Sequence, residues 1–200
     1  MGVPHRPGAD PQHQDDPGQL RRRRLGAGAD RAGRLARAAR RLLQEGEAVT
    51  PEQRLAELGL TLPEVVPPLA AYVPAVRTGD LVYTSGQVPL VEGKLPLVGK
   101  LGAELTVDEG REMARICALN ALAALKSEVG DLGRVVRIVK AVVFVASDPG
   151  FTGQPQVANG ASELLAEVLG EAGRHARSAV GVASLPLDAP VEVELIAEVS

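Results

Sequence analysis

This 200-residue chain is short of the groups on which much protein chemistry is built. It has one cysteine, Cys117, which excludes an intrachain disulfide and any multi-cysteine metal site and suits a reducing compartment. Tryptophan is absent and only Tyr72, Tyr83, Phe144 and Phe151 are aromatic. A core must therefore be built from Val, Leu, Ile and Ala, and few rings remain on which single-stranded bases could stack. His5 and His13 lie near the N-terminus, leaving His175 alone in the body. Zinc sites, Ser-His-Asp triads and Cys-His pairs need partners that one such subunit lacks. No apolar run is long enough to span a membrane, and the N-terminus lacks the continuous apolar segment of a secretory signal, so a cytoplasmic protein is expected. Gly93, Gly99 and Gly102 punctuate a loop from Leu90 to Leu105, but neither GxxxxGK[ST] nor GxGxxG spacing occurs, and a phosphate loop is rejected.

What is present divides in two. Residues 1 to 49 hold ten Arg against six Asp/Glu, whereas the rest holds twelve Lys/Arg against nineteen Asp/Glu. The acidic body makes nucleic acid an unlikely partner; only the Arg21 to Arg24 block speaks for RNA. Residues 1–48, rich in Gly, Pro, Ala and Arg, bury too little to offset chain entropy and are expected to be a disordered extension, with transient helix over Asp30 to Gln44. The expected folded domain is 49–200, and 45% hydrophobic residues suffice for its core.

Thr50, Pro51 and Gly59 mark the start, first turn and end of a short helix, after which Pro63, Pro67 and Pro68 impose an extended connection. Tyr72 to Arg77 and Leu81 to Gly86 flank Thr78-Gly79-Asp80 as a hairpin. A capping box, Thr106-Val107-Asp108-Glu109, opens the principal helix, which places Met113, Ile116, Cys117, Ala121, Ala124 and Leu125 on one stripe and ends at Gly130. Cys117 in that stripe reads as a packing residue rather than a nucleophile. Arg134 to Ala146, with Val139, Ala141, Val143 and Val145 alternating, reads as a strand, and Val157 to Leu169 as a second amphipathic helix. The implied fold is α+β, one sheet of four or five strands with both helices on one face.

The last two alternating runs, Arg177 to Ala183 and Val191 to Ala197, read as a hairpin or near-hairpin across Leu185 to Pro190. In that reading Val180 and Val182 turn toward the core. Arg177, Ala179 and Gly181 then share the other face, which also receives Glu192 and Glu194. Small residues beside an arginine leave room for a planar anion that the guanidinium fork grips with two parallel bonds, and a partly buried glutamate can shuttle a proton. The residues alone equally admit a strand-end surface arginine and a solvated carboxylate. In a simple hairpin turning near Leu187, Arg177 and Glu192 are displaced by roughly 17 Å at strand rise. Either the pairing is not a simple hairpin, or a cleft between subunits brings one chain's arginine to another chain's glutamate.

Ala176-Arg177-Ser178, Val180, Val182-Ala183, Leu185-Pro186 and Val191-Glu192-Val193-Glu194 resemble the C-terminal signature of the RidA family of reactive enamine/imine deaminases. Tyr72-Val73-Pro74-Ala75-Val76, Tyr83-Thr84-Ser85-Gly86-Gln87-Val88-Pro89, Val143-Phe144-Val145 and Asn159 agree with it in order, from about Ala70 to Val199. The resemblance implies a chorismate-mutase-like α+β fold, two helices on one face of a single sheet, and a homotrimer with three intersubunit clefts. It implies no metal and no organic cofactor. The implied reaction is hydrolysis of 2-aminoacrylate-type enamines or imines to 2-keto acids and ammonia. By the same resemblance Arg177 binds the substrate carboxylate, Glu192 positions the attacking water, and Tyr72, Ser85, Gln87 and Asn159 line the cleft. His175 stands where a proline commonly precedes Ala-Arg-Ser, Ala179 where a cysteine is frequent and Gly181 where a larger residue is usual. These departures leave the anion grip in place and bear on substrate size and identity. A non-catalytic protein that binds a keto acid or similar carboxylate in the cleft is the alternative from another class.

Overall fold

The computed structural model describes residues 49–65 and 71–200, so the expectations for residues 1–48 and for Pro67 and Pro68 lie outside the described residues. Helix α1, Pro51–Glu57, has the anticipated start: Thr50 accepts from the Gln53 amide and Gln53 returns a bond to the Thr50 amide. Gly59 follows at φ +68°, where a side chain would be strained. Glu52 ties this helix to the body by accepting from the Leu132 amide at 3.0 Å and pairing with Lys126 at 3.2 Å.

Strands β1, Ala75–Thr78, and β2, Leu81–Thr84, form the predicted hairpin about Gly79 and Asp80. Both are shorter than the alternation suggests, because Pro74 lies just before the first and the chain breaks from the ladder after Thr84. Helix α2, Val107–Val129, begins with the Thr106/Glu109 capping box and stops at Gly130. The hydrogen bonds from the Thr106 amide and hydroxyl hold the Glu109 carboxyl below the ordinary range, against a smaller opposing effect of desolvation. Met113, Cys117, Ala121 and Leu125 are buried along its inner stripe, and the Cys117 thiol donates to the Val191 carbonyl at 3.4 Å. Burial, and then the charge of Glu192, push that thiol well above its ordinary value, which fits a packing role.

Strand β3, Val135–Ala146, follows a turn over Leu132–Arg134 and lies inside the sheet, with a neighbouring strand on each side. The predicted alternation fails at its start. A bulge between Ile138 and Lys140 shifts the register, so Ile138 is buried and Val139 faces outward, and Ala141, Val143 and Val145 resume inward. Helix α3, Gln154–Leu169, starts three residues before the expected Val157, with Pro155 in its first turn. Strands β4, Ala176–Val182, and β5, Val191–Val199, complete a single mixed five-stranded sheet in the order β1-β2-β5-β3-β4.

The last two strands are not a hairpin. Strand β4 pairs parallel to β3, α3 serving as the crossover, and β3 separates it from β5. The expected faces of β4 are also reversed. Ala179 packs on the core, Arg177 bonds to α3, and a Cβ on Gly181 would meet Ser147 and Gln154, so this small-residue face is the one covered by helix. Val180 is 45% exposed on the other. Both long helices lie on the covered face, above Val191, Val193, Leu195, Ala141, Val143 and Val145, all buried. The opposite face is open and carries Val76, Val136 and Val180 among its exposed apolar groups.

Candidate functional site

The six residues singled out in the sequence fall into two groups. Arg177 and Asn159 form the first. Positions 155, 159 and 162 recur on one stripe of α3, and the guanidinium of Arg177 lies along them. Nη1 donates to Asn159 Oδ1 and to Ser162 Oγ, each at 3.0 Å, and Nη2 donates to the Pro155 carbonyl at 3.3 Å. A guanidinium has five N–H groups. Three are spent on the helix, and among the described residues Nε and the second N–H of Nη2 make no bond, so the side of the guanidinium is available to a carboxylate.

The second group is Glu192, Ser85, Gln87 and Tyr72. Gln87 and Val193 exchange backbone bonds at 2.9 and 3.0 Å, which carries the chain after β2 alongside β5. Gly86 thereby passes directly over Glu192: a Cβ at Gly86 would lie 1.7 Å from Glu192 Oε1. Only glycine lets the carboxyl occupy this place. Glu192 is half-buried, and among the described residues no donor reaches its carboxyl. Burial first, and the neighbouring Glu194 charge second, raise its pKa above the ordinary carboxylate value. The Ser85 hydroxyl donates to the Val73 carbonyl at 2.5 Å and the Ser85 amide to Pro74 at 2.8 Å, tying the Tyr72 segment to the same place. Gln87 Nε2 donates to the Ser85 carbonyl at 3.2 Å. Tyr72, 59% exposed, borders a cavity of about 530 Å³ together with Gly86 and Gln87. Neither Arg177 nor Glu192 is among that cavity's walls.

The two groups lie on opposite faces of the sheet. Ala141 is the partner of both Arg177 and Leu195, on the helix-covered side, whereas Phe144 is the partner of both Val180 and Glu192, on the open side. Within one chain the arginine and the glutamate do not share a small molecule.

The sequence reading missed Ser162 and the Pro155 carbonyl, which complete the cradle of Arg177. A signal existed: Asn159 and Ser162 are polar positions beside the buried Ala158, Ala161 and Leu165 of α3. Gly86 was missed because close approach of a backbone to a distant side chain leaves no local pattern.

Comparison with known proteins bears on this arrangement. The family described as "YjgF/chorismate mutase-like, putative endoribonuclease" matches residues 52–199. The chain belongs to the YjgF/RidA family. Similar proteins include protein TCP17 of Trypanosoma cruzi, 48% identical over 73% of this chain and 92% of that protein. They also include the 2-iminobutanoate/2-iminopropanoate deaminase of Escherichia coli K12, 33% identical over 64% of this chain and 88% of the deaminase. Among solved structures, protein Atu1372 of Agrobacterium tumefaciens, of unknown function, is 48% identical with a TM-score of 0.71, covering 75% of this chain and 92% of that one. A "putative endoribonuclease" from Shewanella oneidensis MR-1 is 41% identical with a TM-score of 0.73, covering 75% of this chain and 99% of that one. The single mixed sheet with its three helices is the YjgF/chorismate-mutase-like fold of this family. Among the described residues no helix is long and apolar enough to cross a membrane.

Proposed function

We propose that the protein hydrolyses reactive imines and enamines of the 2-aminoacrylate type to 2-keto acids and ammonia, in clefts formed where the Arg177 group of one subunit meets the Glu192 group of the next. The observation that carries the proposal is the guanidinium of Arg177, held by three acceptors of α3 with two side-on N–H groups left over. That is a receptor for a small carboxylate with a fixed orientation. The E. coli relative, named for deamination of 2-iminobutanoate and 2-iminopropanoate, supports the same substrate class.

The chemistry follows from the second group. An enamine such as 2-aminoacrylate takes a proton on its terminal carbon and becomes the 2-imine. Water then adds to the C=N carbon, giving a carbinolamine; the nitrogen gains a proton and leaves as ammonia while the remaining hydroxyl loses one to become the keto oxygen. Atoms balance as imine plus water giving keto acid plus ammonia. A carboxyl with a raised pKa can take the proton from the attacking water and return it to the departing nitrogen, and Glu192 has that character. The site requires a second copy of the chain, and a homotrimer with three clefts is the arrangement we propose, its contacts made through the open sheet face.

Arg177→Ala is the direct test. Keto-acid release from freshly generated 2-iminobutanoate should fall at least tenfold, since a bidentate charged contact is worth about 1.5–3 kcal/mol. Unchanged release would refute the carboxylate grip. A non-catalytic binder is separated from a hydrolase by Glu192→Gln: turnover disappears in the hydrolase, whereas wild-type protein that binds 2-ketobutyrate without any turnover is the binder.

A further inference from the structure

The cradle of Arg177 continues past the helix. Ser162 Oγ, which accepts from Arg177 Nη1 at 3.0 Å, lies 3.0 Å from His175 Nε2, and His175 Nδ1 lies 2.6 Å from the Gly173 carbonyl. A carbonyl only accepts, so Nδ1 carries the ring proton and donates to Gly173. Nε2 of the neutral ring is then an acceptor, and the Ser162 hydroxyl must donate to it. With its proton committed there, Ser162 can turn only lone pairs toward the guanidinium. The anchor of this chain of bonds is itself fixed: a Cβ on Gly173 would lie 2.1 Å from the Leu165 carbonyl, so the backbone is pressed against the last turn of α3 and its carbonyl has one direction.

We propose that His175 is a positioning residue for Arg177: it acts through Ser162, orienting the hydroxyl so that both Nη1 protons stay on α3 and the Nε/Nη2 fork stays free for the substrate carboxylate. Without this partner a helical serine is free to turn its proton to the carbonyl four residues back, and the guanidinium loses a fixed acceptor. His175 does not touch substrate in this role. The proposal rests on Arg177 being the carboxylate receptor, and it adds the residues that hold that receptor in one orientation.

The test is calorimetric titration of 2-ketobutyrate into the full-length protein, paired with steady-state deamination of 2-iminobutanoate and with melting curves. Ser162→Ala should weaken 2-ketobutyrate binding roughly fivefold, the equivalent of one ordinary hydrogen bond, and raise KM by a similar factor while kcat stays within about twofold. His175→Phe, which keeps a planar aromatic ring without the nitrogens, should weaken binding to the same extent. Combining the two should add nothing further, because one acts through the other. Ser162→Thr, which retains the hydroxyl, should restore affinity to near wild type. Full additivity of the two losses, or unchanged affinity in both single variants while Arg177→Ala abolishes binding, overturns the relay and leaves the carboxylate receptor standing. Unchanged affinity in Arg177→Ala overturns both. Should the variants fold poorly, the wild-type protein answers by NMR: restricted rotation about the Arg177 Nε–Cζ bond gives separate Nη1 and Nη2 resonances, and averaged resonances contradict the relay.

Discussion

Replacing Glu192 by glutamine separates what its carboxyl does for the reaction from what it costs the fold. The folded-state pKa is raised, so the uncharged form is favoured in the native protein, and the stability associated with it is fully present below the ordinary carboxylate value. It is lost as pH rises through the raised value. Glu192→Gln cannot ionise, so at neutral pH its melting temperature should equal or exceed that of the wild type, with the difference vanishing below about pH 4. Its turnover should fall about a hundredfold or more for loss of the proton shuttle. A lower melting temperature at neutral pH would contradict the assigned environment. Gly86→Ala probes the same place from the other side. The new Cβ meets the flexible end of Glu192, so the carboxyl should move aside with little loss of stability and a large loss of turnover, measured as kcat on 2-iminobutanoate. At this scale the sequence could single out residue types that suit a chemistry, such as the guanidinium of Arg177, and was silent on approaches made across the fold, as with Gly86 or Ser162.

Helix α3 does three things as an element: it makes the parallel crossover, it packs on α2, and it presents the stripe that holds Arg177. The packing is closest at Gly160, where a Cβ would lie 1.9 Å from the Arg111 backbone carbonyl. Neither helix backbone can give way cheaply, so Gly160→Ala should destabilise by about 3 kcal/mol, read from denaturant melts, and should lower activity only in proportion to unfolding. A neutral substitution would show that α2 and α3 are not in this contact. The starts and stops of α1 and α2 were legible because they are local: the Thr50 N-cap, the Thr106 capping box and the glycines after both helices stand where the sequence puts them. Partner choice was not. Period-two alternation marks a strand but not its neighbour, and the crossover through α3 delivers β4 beside β3 rather than β5. The inverted faces of β4 were not legible either. Apolar groups normally point inward, yet here Val180 stands on an uncovered face while the covered face carries Arg177, Ala179 and Gly181. The bulge at Val139 hid the parity of β3 in the same way.

For the whole molecule, the separation of Arg177 and Glu192 onto opposite faces is the feature on which the proposed shared site rests. A shared site explains why each group is well made yet insufficient alone: the arginine is cradled without a general base, and the glutamate is poised without an anion receptor. It also gives the open apolar face of the sheet a use. The most direct measurement is subunit complementation. Arg177→Ala and Glu192→Gln proteins, each strongly impaired, are mixed in equal amounts, unfolded and refolded together, and assayed for keto-acid release from 2-iminobutanoate. If each cleft takes its arginine from one chain and its glutamate from the next, random assembly restores about a quarter of wild-type activity. Mixed assemblies that form but show no activity above that of the separate variants would contradict the shared cleft.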